Sequence, residues 1–95
     1  FQDLKIDLAA RKATHNKSEI KLTRQEFDLL SYLLENSGNV LTKKELLEEI
    51  WEILQPTEED VNKVEVYIGY LRKKLKPFNL DVYINTVRGF GYRWN

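Results

Sequence analysis

Arg88 stands in the run Thr86-Val87-Arg88-Gly89-Phe90-Gly91-Tyr92, and a second set of cations, Lys63, Arg72, Lys73 and Lys74, lies upstream at helical spacing. Guanidinium and ammonium groups gathered in this way neutralise phosphates, because each contact releases counterions held by the polyanion. Residues 61–95 hold seven basic residues against two acidic ones, whereas residues 1–60 hold eight against thirteen. A formal net charge of zero therefore conceals a basic end of +5 and an acidic remainder of −5. Such asymmetry points to a polyanion-binding surface, although a solvated polar face has the same charge count, so the pattern of the residues must decide.

Other chemistry is poorly provided for. The chain has no cysteine, and its one histidine, His15, lies in a strand-like stretch without a carboxylate cluster, so a metal centre or an activated nucleophile lacks its parts. Gly89-Phe90-Gly91 has no following helix to hold a phosphate, and there is no P-loop pattern. The expectation is no enzyme, no metal and no cofactor. Ninety-five residues at 42% hydrophobic make one small domain spanning 1–95, burying roughly 60–65% of its unfolded surface. No apolar run approaches the ~20 residues needed to span a bilayer, and no signal pattern opens the chain, so a cytoplasmic protein without membrane contact is expected. The absence of an initiator methionine suggests a piece of something longer.

The basic residues need elements to position them. Phe1 to Leu22 alternates apolar and polar residues in short runs around Asn16-Lys17-Ser18, which predicts two or three antiparallel strands. Thr23 and Glu26 form a capping box opening a helix with Phe27, Leu30, Leu33 and Leu34 on one face and Gly38 as its stop. Val40-Leu41 is long enough only for a bridge. Thr42 to Glu45 reads as a second capping box, and its helix carries Leu46, Leu47, Ile50 and Trp51 on one side. Residues 52–60 form an acidic, partly apolar loop in which Pro56 disfavours helix, and their acids suit the start of the helix that follows.

That third helix is predicted over Val61 to Leu75. Val61, Val64, Ile68, Leu71 and Leu75 make one inward stripe. The opposite side then carries Asn62, Val66, Gly69, Tyr70 and Lys73, flanked by Lys63 and Lys74 on one edge and Arg72 on the other. A valine for a thymine methyl, a ring, a glycine permitting close approach and flanking lysines suit a DNA major groove. The competing reading packs Val66 or Tyr70 beneath the N-terminal strands. Asp81 to Trp94 reads as a hairpin with Arg88 and Phe90 at its tip, where two glycines permit positive φ, and an arginine there can enter a minor groove.

Four blocks carry a resemblance to a known family. They are Leu22-Thr23-Arg24-Gln25-Glu26-Phe27-Asp28-Leu29-Leu30, the stretch Gly38 to Leu47 leading to Trp51, Val64-Glu65-Val66-Tyr67-Ile68-Gly69-Tyr70-Leu71-Arg72-Lys73-Lys74-Leu75, and Asn85 to Arg93. In this order they resemble the winged-helix DNA-binding effector domain of two-component response regulators of the OmpR/PhoB type, over essentially the whole chain. The resemblance implies an α+β winged helix-turn-helix fold: an N-terminal antiparallel sheet, three helices and a C-terminal β-hairpin wing, normally preceded by a receiver domain absent from this chain.

It further implies sequence-specific binding of double-stranded DNA, with the helix at 61–75 in the major groove and the wing at 86–92 at the minor groove. Lys63, Tyr67, Arg72, Thr86 and the Trp51 end of the second helix become candidates for phosphate contacts. Glu65, Val66, Tyr70 and Lys73 become candidates for base edges, with Asn62 and Lys74 beside them and Arg88 for the minor groove. The implied partners are direct-repeat DNA, a second copy in a homodimer of the full-length regulator, and RNA polymerase through the 52–60 loop. Where many members have arginines along this helix, the chain has Asn62, Gly69 and Tyr70, so its readout depends less on arginine. The alternative function is a winged helix that binds proteins through Tyr70, Phe90 and the acidic loop, for which Arg88, Lys73 and Lys74 have no use.

Overall fold

A computed structural model describes residues 3–95; Phe1 and Gln2, at the start of the first strand pattern, lie outside the described residues. Strands β1 (Leu4–Asp7), β2 (Lys12–His15) and β3 (Ser18–Ile20) form an antiparallel meander in that order. Leu4, Ala13 and Ile20 turn inward from it. Asn16 and Lys17 both take positive φ, 50° and 71°, as the tight reversal between β2 and β3 requires. The side chain of His15 meets the Phe78 ring edge-on at 5.8 Å.

Helix α1 (Arg24–Glu35) opens on the expected capping box: the Thr23 amide donates to Glu26 Oε1 at 2.9 Å and the Glu26 amide donates to Thr23 Oγ1 at 3.3 Å. It ends at Glu35, with Asn36 closing it by donating to the Tyr32 carbonyl, and Gly38 instead carries the chain out of the turn and donates to the Trp94 carbonyl at 2.9 Å.

The bridge at Leu41 is β4 (Leu41–Thr42), which runs directly into α2 (Lys43–Trp51). The second capping box is only half made. Thr42 Oγ1 accepts from the Glu45 amide at 3.0 Å, but the Glu45 carboxylate accepts the Tyr32 hydroxyl at 3.1 Å, joining α2 to α1. Burial, then this bond to Glu45, pushes the Tyr32 phenol up to about 12.

Helix α3 (Glu58–Leu75) begins three residues ahead of the expected Val61. The reason is a capping box in what reads as loop: the Thr57 amide donates to Asp60 Oδ2 at 2.9 Å and the Asp60 amide to Thr57 Oγ1 at 3.3 Å. Glu58, Glu59 and Asp60 then occupy the first turn and Arg72, Lys73 and Lys74 the last, each sign at the end the helix dipole favours. The true loop is 52–57. Val64, Ile68, Leu71 and Leu75 are buried in the core, where α3 packs on α1, α2 and the turns at 76–78 and 81–83, while Val61 is half-buried.

The hairpin is shorter than the alternation from Asp81 suggests. Asp81–Tyr83 winds into a 3-10 turn, held by the Tyr83 amide on the Leu80 carbonyl, and β5 starts at Ile84 (Ile84–Val87). Strand β6 (Gly91–Trp94) pairs with β5 on one side and with β4 on the other, giving the order β4-β6-β5. Of the two wing glycines only Gly89 takes positive φ, 82°. Gly91 is needed for a different reason: a Cβ there would run into the Leu41 carbonyl across the β4 pairing.

Candidate nucleic-acid interface

The outer face of α3 is free of the core. Asn62, Glu65, Val66, Gly69, Tyr70 and Lys73 line it, and its two large hydrophobic residues, Val66 at 47% exposed and Tyr70 at 50%, do not pack under the N-terminal strands. Tyr70 is nevertheless held. Its ring meets Tyr67 edge-on at 5.4 Å, and Tyr67 meets Trp51 in the same way at 5.2 Å, so a chain of three rings runs from the end of α2 to the outer face of α3. Lys63 caps this chain, with Nζ 5.8 Å from the Trp51 ring centre. The Trp51 indole nitrogen is enclosed, with no hydrogen-bond partner among the described residues.

Between the start of α2 and the wing lies an open cleft lined by Lys43, Lys44, Thr86, Arg88 and Phe90 among others, with Glu65 of α3 at its edge. Arg72 lies outside this lining but holds two of the elements that flank it. This guanidinium donates from Nη2 to the Ile84 carbonyl and to Thr86 Oγ1, both at 2.9 Å, and lies 5.9 Å from the Tyr92 ring centre. Arg72 thus ties α3 to the base of the wing, and Thr86 Oγ1 is left with its own proton to donate outward. At the tip, Arg88 and Phe90 are both exposed, Phe90 at 69%, and Arg88 makes no ion pair among the described residues.

The charged candidates divide into tied and free. Lys43 Nζ lies 2.7 Å from Glu65 Oε1, a bond that raises the Lys43 pKa above its ordinary value and offsets the Glu65 charge. Lys74 is turned toward α1: its ammonium donates to Glu26 Oε1 at 2.9 Å and to the Lys21 carbonyl at 3.3 Å. The structure therefore does not bring Lys74 to the outer face with Lys73. Lys44, Lys73 and Arg88 make no ion pair among the described residues.

Lys43 and Lys44 are not singled out by the sequence pattern, although a signal is present. Two lysines in the first turn of a helix oppose its dipole, and a residue placed against a local preference is usually answering another demand.

Residues 17–94 match the family described as transcriptional regulatory protein, C terminal. The chain belongs to this family of OmpR/PhoB-type DNA-binding domains. Among its relatives, the response regulator ArlR of Staphylococcus aureus is 47% identical over 87 residues, which are 92% of this chain but 39% of that protein. The chain thus spans about two-fifths of the length of the curated relatives it matches. Two solved DNA-binding domains superpose closely. The DNA-binding domain of the response regulator AdeR, in complex with an intercistronic region, has a TM-score of 0.85 at 25% identity over 100% of this chain and 96% of that one. The RstA DNA-binding domain of Klebsiella pneumoniae, in complex with the RstA box, has a TM-score of 0.84 at 27% identity over 99% of this chain and 92% of that one.

Proposed function

We propose that this domain binds double-stranded DNA sequence-specifically as the output part of a two-component transcriptional regulator, with α3 in the major groove and the wing at the neighbouring minor groove. One observation carries the reading: the cations Lys44, Lys73 and Arg88, without ion pairs among the described residues, border a single cleft and the exposed face of α3. Lys44, Lys63, Tyr67 and Thr86 meet phosphates, Arg88 enters the minor groove, and the base edges fall to Asn62, Val66, Tyr70 and Lys73, with Glu65 engaged by Lys43. Arg72, Trp51 and Lys74 support that surface from behind. The complete regulator works in the cytoplasm as a homodimer on direct repeats, and the 52–57 loop, where Leu54 is 65% exposed, offers an apolar contact to RNA polymerase.

The test is selection of bound duplexes from a random library, followed by affinity against salt. Lys44→Ala and Lys63→Ala should each flatten the slope of log affinity on log salt by up to ~0.9 for every phosphate that is no longer neutralised. Absence of binding to any duplex at low salt overturns the reading.

A further inference from the structure

We infer that the recognition face reads thymine through its C5-methyl group, so that the core of each half-site is built of A·T pairs recognised in the major groove by Val66 and Tyr70. This rests on the DNA-binding reading above and goes beyond it in naming the bases. Guanine is ordinarily read by a bidentate arginine or lysine, adenine by asparagine or glutamine, and thymine by apolar contact with its methyl. The outer face of α3 presents no arginine: Arg72, the helix's arginine, is bonded to the wing. Glu65, which could accept from cytosine, is engaged by Lys43. What remains toward the bases is Asn62, Val66, Gly69, Tyr70 and, at the far end, Lys73.

Gly69 strengthens the case because nothing inside the molecule requires it. A Cβ at this position meets nothing within 4 Å, and its φ is not in the left-handed region. A glycine in an exposed helix interior loses stability relative to alanine, so the missing side chain is accounted for by what approaches from outside. It lies between Val66 and Tyr70, where its absence lets the helix settle until both side chains touch a methyl. Tyr70 is already oriented by Tyr67, so little rotational freedom is lost on contact.

The experiment takes the duplex recovered by selection and replaces its thymines one at a time with deoxyuridine, which removes only the major-groove methyl. The expected result is a loss of about 3- to 5-fold at one or two positions in each half-site, the scale of one buried methyl. Val66→Ala should abolish that penalty at one position, and Tyr70→Ala at another. Gly69→Ala supplies a check that cannot be confused with misfolding: it should raise the melting temperature by about 4 °C while lowering affinity. Tight binding that is indifferent to uracil throughout the half-site overturns the inference and leaves DNA binding standing. Loss of all duplex binding at low salt overturns both.

Discussion

At the scale of single residues, Arg88 and Tyr70 have different kinds of support. Arg88 is held only by the backbone of a three-residue turn in which Gly89 supplies the positive φ. Its replacement by alanine should leave folding intact and weaken binding about tenfold, on the order of 1–2 kcal/mol. The effect should be largest on duplexes with A·T-rich flanks, where the minor groove is narrow and its potential most negative. Equal losses on A·T-rich and G·C-rich flanks would remove the minor-groove assignment.

Tyr70 ends a chain of rings, so Tyr70→Ala forfeits one edge-on contact of about 0.5–1.5 kcal/mol and should shift the melting temperature by only a few degrees, roughly 3–8 °C. Specific affinity should fall further, by about tenfold. A collapse of the melting transition would put the ring in the core.

The helices are the legible part of the sequence. Val64, Ile68, Leu71 and Leu75 show their inward stripe in spacing alone, and the outward placement of Val66 and Tyr70 follows by subtraction. The start of α3 is harder to see, because Pro56 and a run of acids look like loop until Thr57 and Asp60 are recognised as a reciprocal cap. The tied state of Arg72, Lys74 and Glu65 is invisible there, since Thr86, Glu26 and Lys43 lie 14, 48 and 22 positions away and only tertiary packing brings them together. A charge pattern counts cations without saying which are already engaged.

At the scale of elements, two ties set how α3 stands against its neighbours. Arg72→Ala removes both bonds to the wing and should cost about 1–2 kcal/mol in urea unfolding. It should also shrink the effect of Arg88→Ala in a double-mutant cycle, since a wing no longer fixed to α3 presents its tip less well. Additive losses would mean that the wing keeps its position without Arg72.

The other tie is Glu26, almost wholly buried at the start of α1. Burial works to raise its pKa, but the Thr23 amide, the Lys74 ammonium and the Thr23 hydroxyl together outweigh it, and the carboxyl lies below its ordinary 4.5. A depressed folded value means that the stabilisation is complete above the ordinary value and is lost as pH falls through the folded one. The melting temperature of Glu26→Gln should therefore fall less steeply than that of the wild type over this acid range. Parallel curves would show that the capping network does not depend on the charge.

At the scale of the whole molecule, the placement of charge orients the domain before it docks. The cations Lys44, Lys73 and Arg88, which make no ion pair among the described residues, should draw their face toward the phosphates. If the working unit is a pair of copies in the same orientation, selected duplexes should contain two like half-sites with centres about 10–10.5 bp apart. Inserting about 5 bp between them turns the second half-site to the opposite face of the duplex and should reduce affinity to that of one half-site. Retained affinity after the insertion would argue for independent monomers.

Gly91 and Leu41 lie close enough that a single methyl group would force them apart. Gly91→Ala should consequently cost about 3 kcal/mol, in contrast to the gain expected at Gly69. The same closeness fuses the wing, through β6 and β4, to the first turn of α2 with Lys43 and Lys44. The two sides of the cleft are then the jaws of a caliper with a fixed gap. If that gap is held, sequences whose grooves deform easily should gain affinity at base pairs that no side chain touches, and equal affinity for stiff and pliable duplexes would show that the jaws adapt.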